Sequence, residues 1–74
     1  MSVYTYIDVR RVLRRLGFRL RRSRKHETWQ LMGENGTVIR QTQLSHKHGR
    51  DVPIGTFQKI LDDMGIDEER FKEL

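Results

Sequence analysis

Cysteine is absent, so disulfides and thiolate metal sites are excluded as staples for this chain. Proline occurs once, at Pro53, and aromatic residues make up only 8% of the sequence. No apolar run approaches the roughly 20 residues that span a bilayer. Met1-Ser2-Val3-Tyr4 lacks the basic-then-apolar order of a secretory signal. A soluble cytoplasmic protein, with no membrane partner, is therefore expected. Acidic residues are missing altogether from Arg10 to Lys25, where Arg10, Arg11, Arg14, Arg15, Arg19, Arg21, Arg22, Arg24 and Lys25 stand. The acids gather at the other end, in Asp62, Asp63, Asp67, Glu68, Glu69 and Glu73, against only Arg70 and Lys72. The net charge of +5 thus hides a polarity that favours an anionic partner on one side of the molecule. With 74 residues, the chain is expected to form one domain, residues 1–74, with a small core.

The hydrophobic pattern is helical at first. Val9, Val12, Leu13 and Leu16 fall at i, i+3, i+4 and i+7, and Arg10, Arg11, Arg14 and Arg15 lie off that stripe. Thr5 with Asp8 three places on has capping-box spacing, and Gly17 stands where a left-handed C-terminal residue is wanted. A helix is predicted from about Thr5 to Leu16. Phe18-Arg19-Leu20-Arg21 then alternates apolar and basic, which predicts a strand with Phe18 and Leu20 toward the helix and Arg19 and Arg21 toward solvent. Glu27 to Met32 and Thr37 to Leu44 read as two further strands around the turn Gly33-Glu34-Asn35-Gly36, whose Asn-Gly pair signals a hairpin. Ser45 to Asp51 reads as a polar loop. Pro53 suits the start of a second helix, with Ile54, Phe57, Ile60, Leu61 and Met64 as its buried stripe and Gly65 as its end. Asp67 can cap a last short helix that buries Phe71 and Leu74. The expected class is α+β, in the order α-β-β-β-α: a three-stranded antiparallel sheet packed by two helices, plus a short C-terminal helix.

Chemistry concentrates at Lys25-His26-Glu27-Thr28-Trp29, where a histidine closes the basic run beside a strand. Cations attract phosphate, and histidine is the side chain suited to moving protons near neutral pH. On the residues alone, His26 reads more readily as a surface histidine in a polar bend than as a catalytic group. His46 and His48 form a loop His-x-His that is usually just solvated; as metal ligands they would need a third and fourth donor, for which Asp51 and His26 are conceivable but not at a diagnostic spacing. Trp29 reads as core more readily than as a stacking platform for a base. The arginines of the first helix read as a solvated face, an RNA track or a dock for an acidic protein.

Several separated segments resemble the HicA family of small toxins from bacterial toxin–antitoxin systems, and they do so in the family's order. Leu16-Gly17-Phe18 is similar to the family's Leu-Gly-Phe after its first helix. Arg22 to Trp29 lies where the family carries an arginine, a Gly-Ser-His and then an aromatic three places on; here these last are His26 and Trp29. Gly49-Arg50-Asp51-Val52, Gly55-Thr56-Phe57-Gln58-Lys59-Ile60-Leu61, Gly65-Ile66 and Phe71-Lys72-Glu73-Leu74 resemble later family segments. The resemblance implies a fold like the double-stranded RNA-binding domain and cleavage of mRNA by His26 as general acid or base. It also implies a HicB-type antitoxin partner, and no cofactor or metal is called for. Candidate RNA or phosphate ligands are Arg19, Arg21, Arg22, Arg24, Lys25, His46, Lys47 and His48. Two departures stand out. Arg24-Lys25 replace the family's Gly-Ser, exchanging close backbone approach for charge. His46 and His48 flank the position of the family's loop histidine. A non-catalytic RNA-binding module and a structural partner for an acidic protein are the competing readings.

Overall fold

A computed structural model describes residues 3–74; Met1 and Ser2, which open the segment compared with a secretory signal, lie outside the described residues. Helix α1 spans Tyr6–Leu16, strands β1, β2 and β3 span Arg19–Ser23, Glu27–Met32 and Val38–Leu44, and helices α2 and α3 span Ile54–Met64 and Glu68–Glu73. The strands form one antiparallel sheet in the order β1-β2-β3. This is the α+β layering expected from the sequence. No helix among the described residues is long and apolar enough to cross a membrane.

Local chemistry sets the helix ends. Thr5 and Asp8 make the reciprocal capping box: Asp8 N donates to Thr5 Oγ1 at 3.2 Å, and Thr5 N donates to Asp8 Oδ2 at 2.9 Å. The bond from Thr5, with help from Arg11, holds the Asp8 carboxyl below its ordinary value against the opposing effect of burial. The next orphan donors of α1, Tyr6 N and Ile7 N, reach the carbonyls of Arg50 and His48 at 3.1 Å each. The loop expected to be merely polar is thereby tied to the start of α1, and a Thr5–Asp51 bridge extends the tie. Gly17 and Gly65 end α1 and α2 with φ of 98° and 77°, where an L side chain would be strained.

The core lies between the helices and one face of the sheet. Val9, Val12 and Leu13 of α1 and Phe57, Ile60, Leu61 and Met64 of α2 meet Phe18, Trp29 and Leu44. Phe18, Phe57 and Phe71 are core, as their spacing predicts. Tyr4, Phe57 and Phe71 form an aromatic cluster with centroids 4.8 to 5.1 Å apart. Buried Phe57 and Phe71 each contribute about 1.5–3 kcal/mol of transfer free energy, and partly buried Tyr4 packs on both, so this cluster fastens α2, α3 and the N-terminal segment together.

Two expectations need correction. Leu20 lies opposite Trp29 and borders a cleft with Ile7 and Arg14 of α1, but it stays 46% exposed because β1 is the edge strand. Ile54 is 49% exposed; it is the first residue of α2 and sits ahead of the turn that meets the core. The Gly33–Gly36 turn joins β2 to β3 as expected, with Gly36 N donating to Gly33 O at 3.1 Å and Gly33 N donating to Thr37 O at 2.7 Å.

Candidate functional site

The β1–β2 hairpin carries His26. Ser23 and Glu27 are the last paired residues, and Arg24-Lys25-His26 form the tip, with Arg24 N donating to the His26 carbonyl at 3.3 Å. All three tip residues are exposed. His26 lines a groove of about 320 Å³ with Tyr6, Gln43, Leu44, Ser45, Thr56 and Lys59. The far wall of that groove is Thr56 and Lys59 of α2, a helix that opens at Pro53 with no side-chain cap. Uncapped first-turn N–H groups and the positive end of a helix favour an anion nearby. Lys59 supplies a mobile cation, at present paired with Asp63 at 3.0 Å. Ser45 Oγ is buried in this wall without a hydrogen-bond partner.

What positions the hairpin is a buried ion pair that the sequence pattern did not disclose. Arg10 was expected on the solvated face of α1; it is instead 6% exposed, because its side chain reaches Glu27 on the sheet. Its Nε donates to Glu27 Oε1 at 2.9 Å, and its Nη2 donates to Glu27 Oε2 at 3.1 Å and to the Ser45 carbonyl at 3.0 Å. Trp29 Nε1 donates to the same Glu27 Oε1 at 2.9 Å. Burial pushes the Glu27 carboxyl up, but the bonds from Arg10 and Trp29, together with the charges of Arg10 and His46, outweigh it and hold the group below its ordinary value. Arg10 Nη1 remains buried without a partner. A single guanidinium thus joins α1, the root of the hairpin and the end of β3.

His46 completes this frame. Its Nε2 lies 2.6 Å from the Arg24 carbonyl. A carbonyl only accepts, so Nε2 carries the proton, and Nδ1 is turned toward Glu27 Oε2 at 3.8 Å. The loop after β3 is thereby strapped to the tip that bears His26.

The remaining candidates disperse. Arg19, Arg21 and Arg22 are exposed on β1, and a bulge between Leu20 and Arg22 brings Arg21 and Arg22 together over Thr28 on the sheet face opposite the helices. Arg24 and Lys25 precede His26 at the tip. Lys47 is exposed in the loop. His48 lines a different cleft, with Ile7, Arg14 and Leu20 beside α1. Trp29 is 2% exposed, so it is core and offers no face to a base; Arg14 covers it with the guanidinium 5.2 Å from the ring centroid. Among the described residues, no group of three or more His, Asp or Glu side chains is arranged to hold a metal ion.

Thr56, Lys59 and Gln43 joined the His26 groove without having been singled out. One signal was legible: Thr56 and Lys59 stand three apart, off the Phe57-Ile60-Leu61-Met64 stripe, on the polar side of α2.

No curated protein matches the chain. One family model, described as HicA toxin of bacterial toxin-antitoxin, matches residues 7–66. That span runs from the first turn of α1 through the end of α2, and so takes in the hairpin tip, the ion pair and the groove. The chain therefore belongs to the HicA family of toxins from bacterial toxin–antitoxin systems.

Proposed function

We infer that this chain is an endoribonuclease toxin that cuts mRNA in the cytoplasm, with His26 as its general acid or base and a HicB-type antitoxin as the partner that covers the groove. The observation that carries the reading is an exposed imidazole, preceded by Arg24 and Lys25, that shares a groove with Thr56 and Lys59 of α2. A scissile phosphate in this groove would meet positive charge on both sides. His26 takes the proton from a ribose 2′-hydroxyl. The 2′-oxygen attacks phosphorus, and the bond to the 5′-oxygen breaks. The imidazolium then supplies the proton to that leaving oxygen. Lys59, released from Asp63, stabilises the charge that grows on the phosphorane.

The replacement of Gly-Ser by Arg24-Lys25, and a groove served by one imidazole, favour a second reading in which the chain binds RNA without cutting it. One experiment separates the two. Incubating the purified chain with RNA and with the same sequence as DNA should yield RNA fragments ending in 2′,3′-cyclic phosphate and 5′-hydroxyl, with DNA intact. RNA that is bound but never shortened rejects the nuclease reading in favour of the binding module.

A further inference from the structure

The helices cover one face of the sheet, and the other is bare. On it, Arg21 and Arg22 of β1, Thr28 and Gln30 of β2, and Gln41 and Gln43 of β3 line a cavity of about 380 Å³. Neither a carboxylate nor an apolar side chain is among them. We propose that this face is a base-reading tray for the RNA strand, an inference that rests on the nucleolytic reading above and extends it to sequence preference.

Four observations carry it. First, the chemistry is that of base recognition. Glutamine presents a donor and an acceptor together and pairs with the edge of a base. Gln30 and Gln41 are coupled across the strands at 2.7 Å, amide to amide. Each is therefore held in place, and each keeps hydrogen-bonding capacity free. Second, the bulge between Leu20 and Arg22 sets two arginines opposite Thr28. A regular strand would send Arg21 and Arg22 to opposite faces; the extra residue aims both at the rim of the same cavity, as bulges beside sites do. Arginine there holds phosphates, while the amides meet bases. Third, Gln43 lines both this cavity and the groove of His26. The two are contiguous, so a base read on the tray belongs to a nucleotide next to the one whose phosphate lies at the imidazole. Fourth, the volume sits near the low end of the range of about 300–1,000 Å³ for small-ligand pockets, which suits a base. A protein partner would seek the apolar and aromatic centre typical of an interface, and this lining has none.

The test uses the full chain with an RNA library randomised around one position, and sequencing of the cut sites. Wild type should prefer one base within about two nucleotides of the cut. Gln30→Ala/Gln41→Ala should lose about 10-fold of that preference, the scale of one good bidentate contact, read as the ratio of preferred to other cut sites within one pool. Arg22→Ala should weaken all sequences alike and flatten the salt dependence. A wild type indifferent to base, or a glutamine double variant with unchanged preference, overturns the proposal. So does a double variant that loses only affinity for a protein partner, which would make the face a protein dock. A chain that never cuts RNA fails the nucleolytic reading, and the tray is then judged by binding. Short homopolymeric RNAs should be ranked by wild type and bound equally by the double variant; equal binding by wild type overturns the tray on that arm.

Discussion

Replacing Arg10 by methionine should remove two of the three donors that satisfy Glu27 inside the fold. The side chains are only 7% and 9% exposed, so the carboxylate would keep Trp29 Nε1 and the more distant His46 as its company. Breaking a buried pair from one side costs about 3–5 kcal/mol. A domain of this size loses about 4–8 °C of Tm per kcal/mol, so a fall of about 12 °C or more is expected from the lower bound. The pH dependence should change sign as well. In the wild type, Glu27 sits below the ordinary 4.5, so its contribution is complete above that pH and disappears as pH falls through the lower folded value. Without Arg10, burial is no longer outweighed and the carboxyl moves up. A raised acid stabilises the fold while protonated and loses that contribution as pH rises. Arg10→Met should therefore be more stable relative to wild type at pH 5 than at pH 7. Urea unfolding followed by the fluorescence of Trp29, the only tryptophan, reads both effects, and subtracting wild type cancels the titrations common to both chains. The double variant Arg10→Met/Glu27→Gln keeps an acceptor for Trp29 with no buried charge and should regain roughly half of the loss. A single variant that loses under about 1 kcal/mol with no pH trend, or a double variant whose loss is the sum of the singles, would refute this account of the hairpin's anchor.

Other consequences are simpler to check. Thr5→Ala removes the cap of α1 and should cost about 1 kcal/mol in denaturant unfolding. Gly65→Ala puts a side chain at φ 77° and a Cβ against the Arg40 guanidinium, so about 1–2 kcal/mol should be lost, with Arg40 displaced. Arg24→Ala and Lys25→Ala should each lower the slope of log affinity for single-stranded RNA against log salt by about 0.7, if each neutralises one phosphate; an unchanged slope removes that residue from the contact.

Periodicity disclosed the elements well because each carries its own local instructions. Val9-Val12-Leu13 and Phe57-Ile60-Leu61 mark helix faces, Thr5 with Asp8 and Gly17 mark ends, and all behave as those rules predict. What stayed hidden depends on elements meeting in space. Glu27 shares a strand face with the buried Trp29, and an acid on such a face demands a cation. Which of the eight arginines between Arg10 and Arg24 would answer follows from how α1 crosses the sheet, and spacing along the chain does not encode it. The His46 strap onto the Arg24 carbonyl and the shared Gln43 are hidden for the same reason: both arise where loops and strands distant in sequence converge. The bulge is a different case, since alternation predicts opposite faces for Arg21 and Arg22 and one inserted residue undoes it.

The most direct measurement of the central claim is the rate of RNA cleavage by folded His26→Ala beside wild type, with Trp29 fluorescence confirming that both chains are intact. A proton carrier at the reacting atoms should be worth about 10²–10⁴-fold, so the variant should cut slower by that factor while binding RNA with similar affinity. Cleavage at the wild-type rate would take the imidazole at the hairpin tip out of the chemistry.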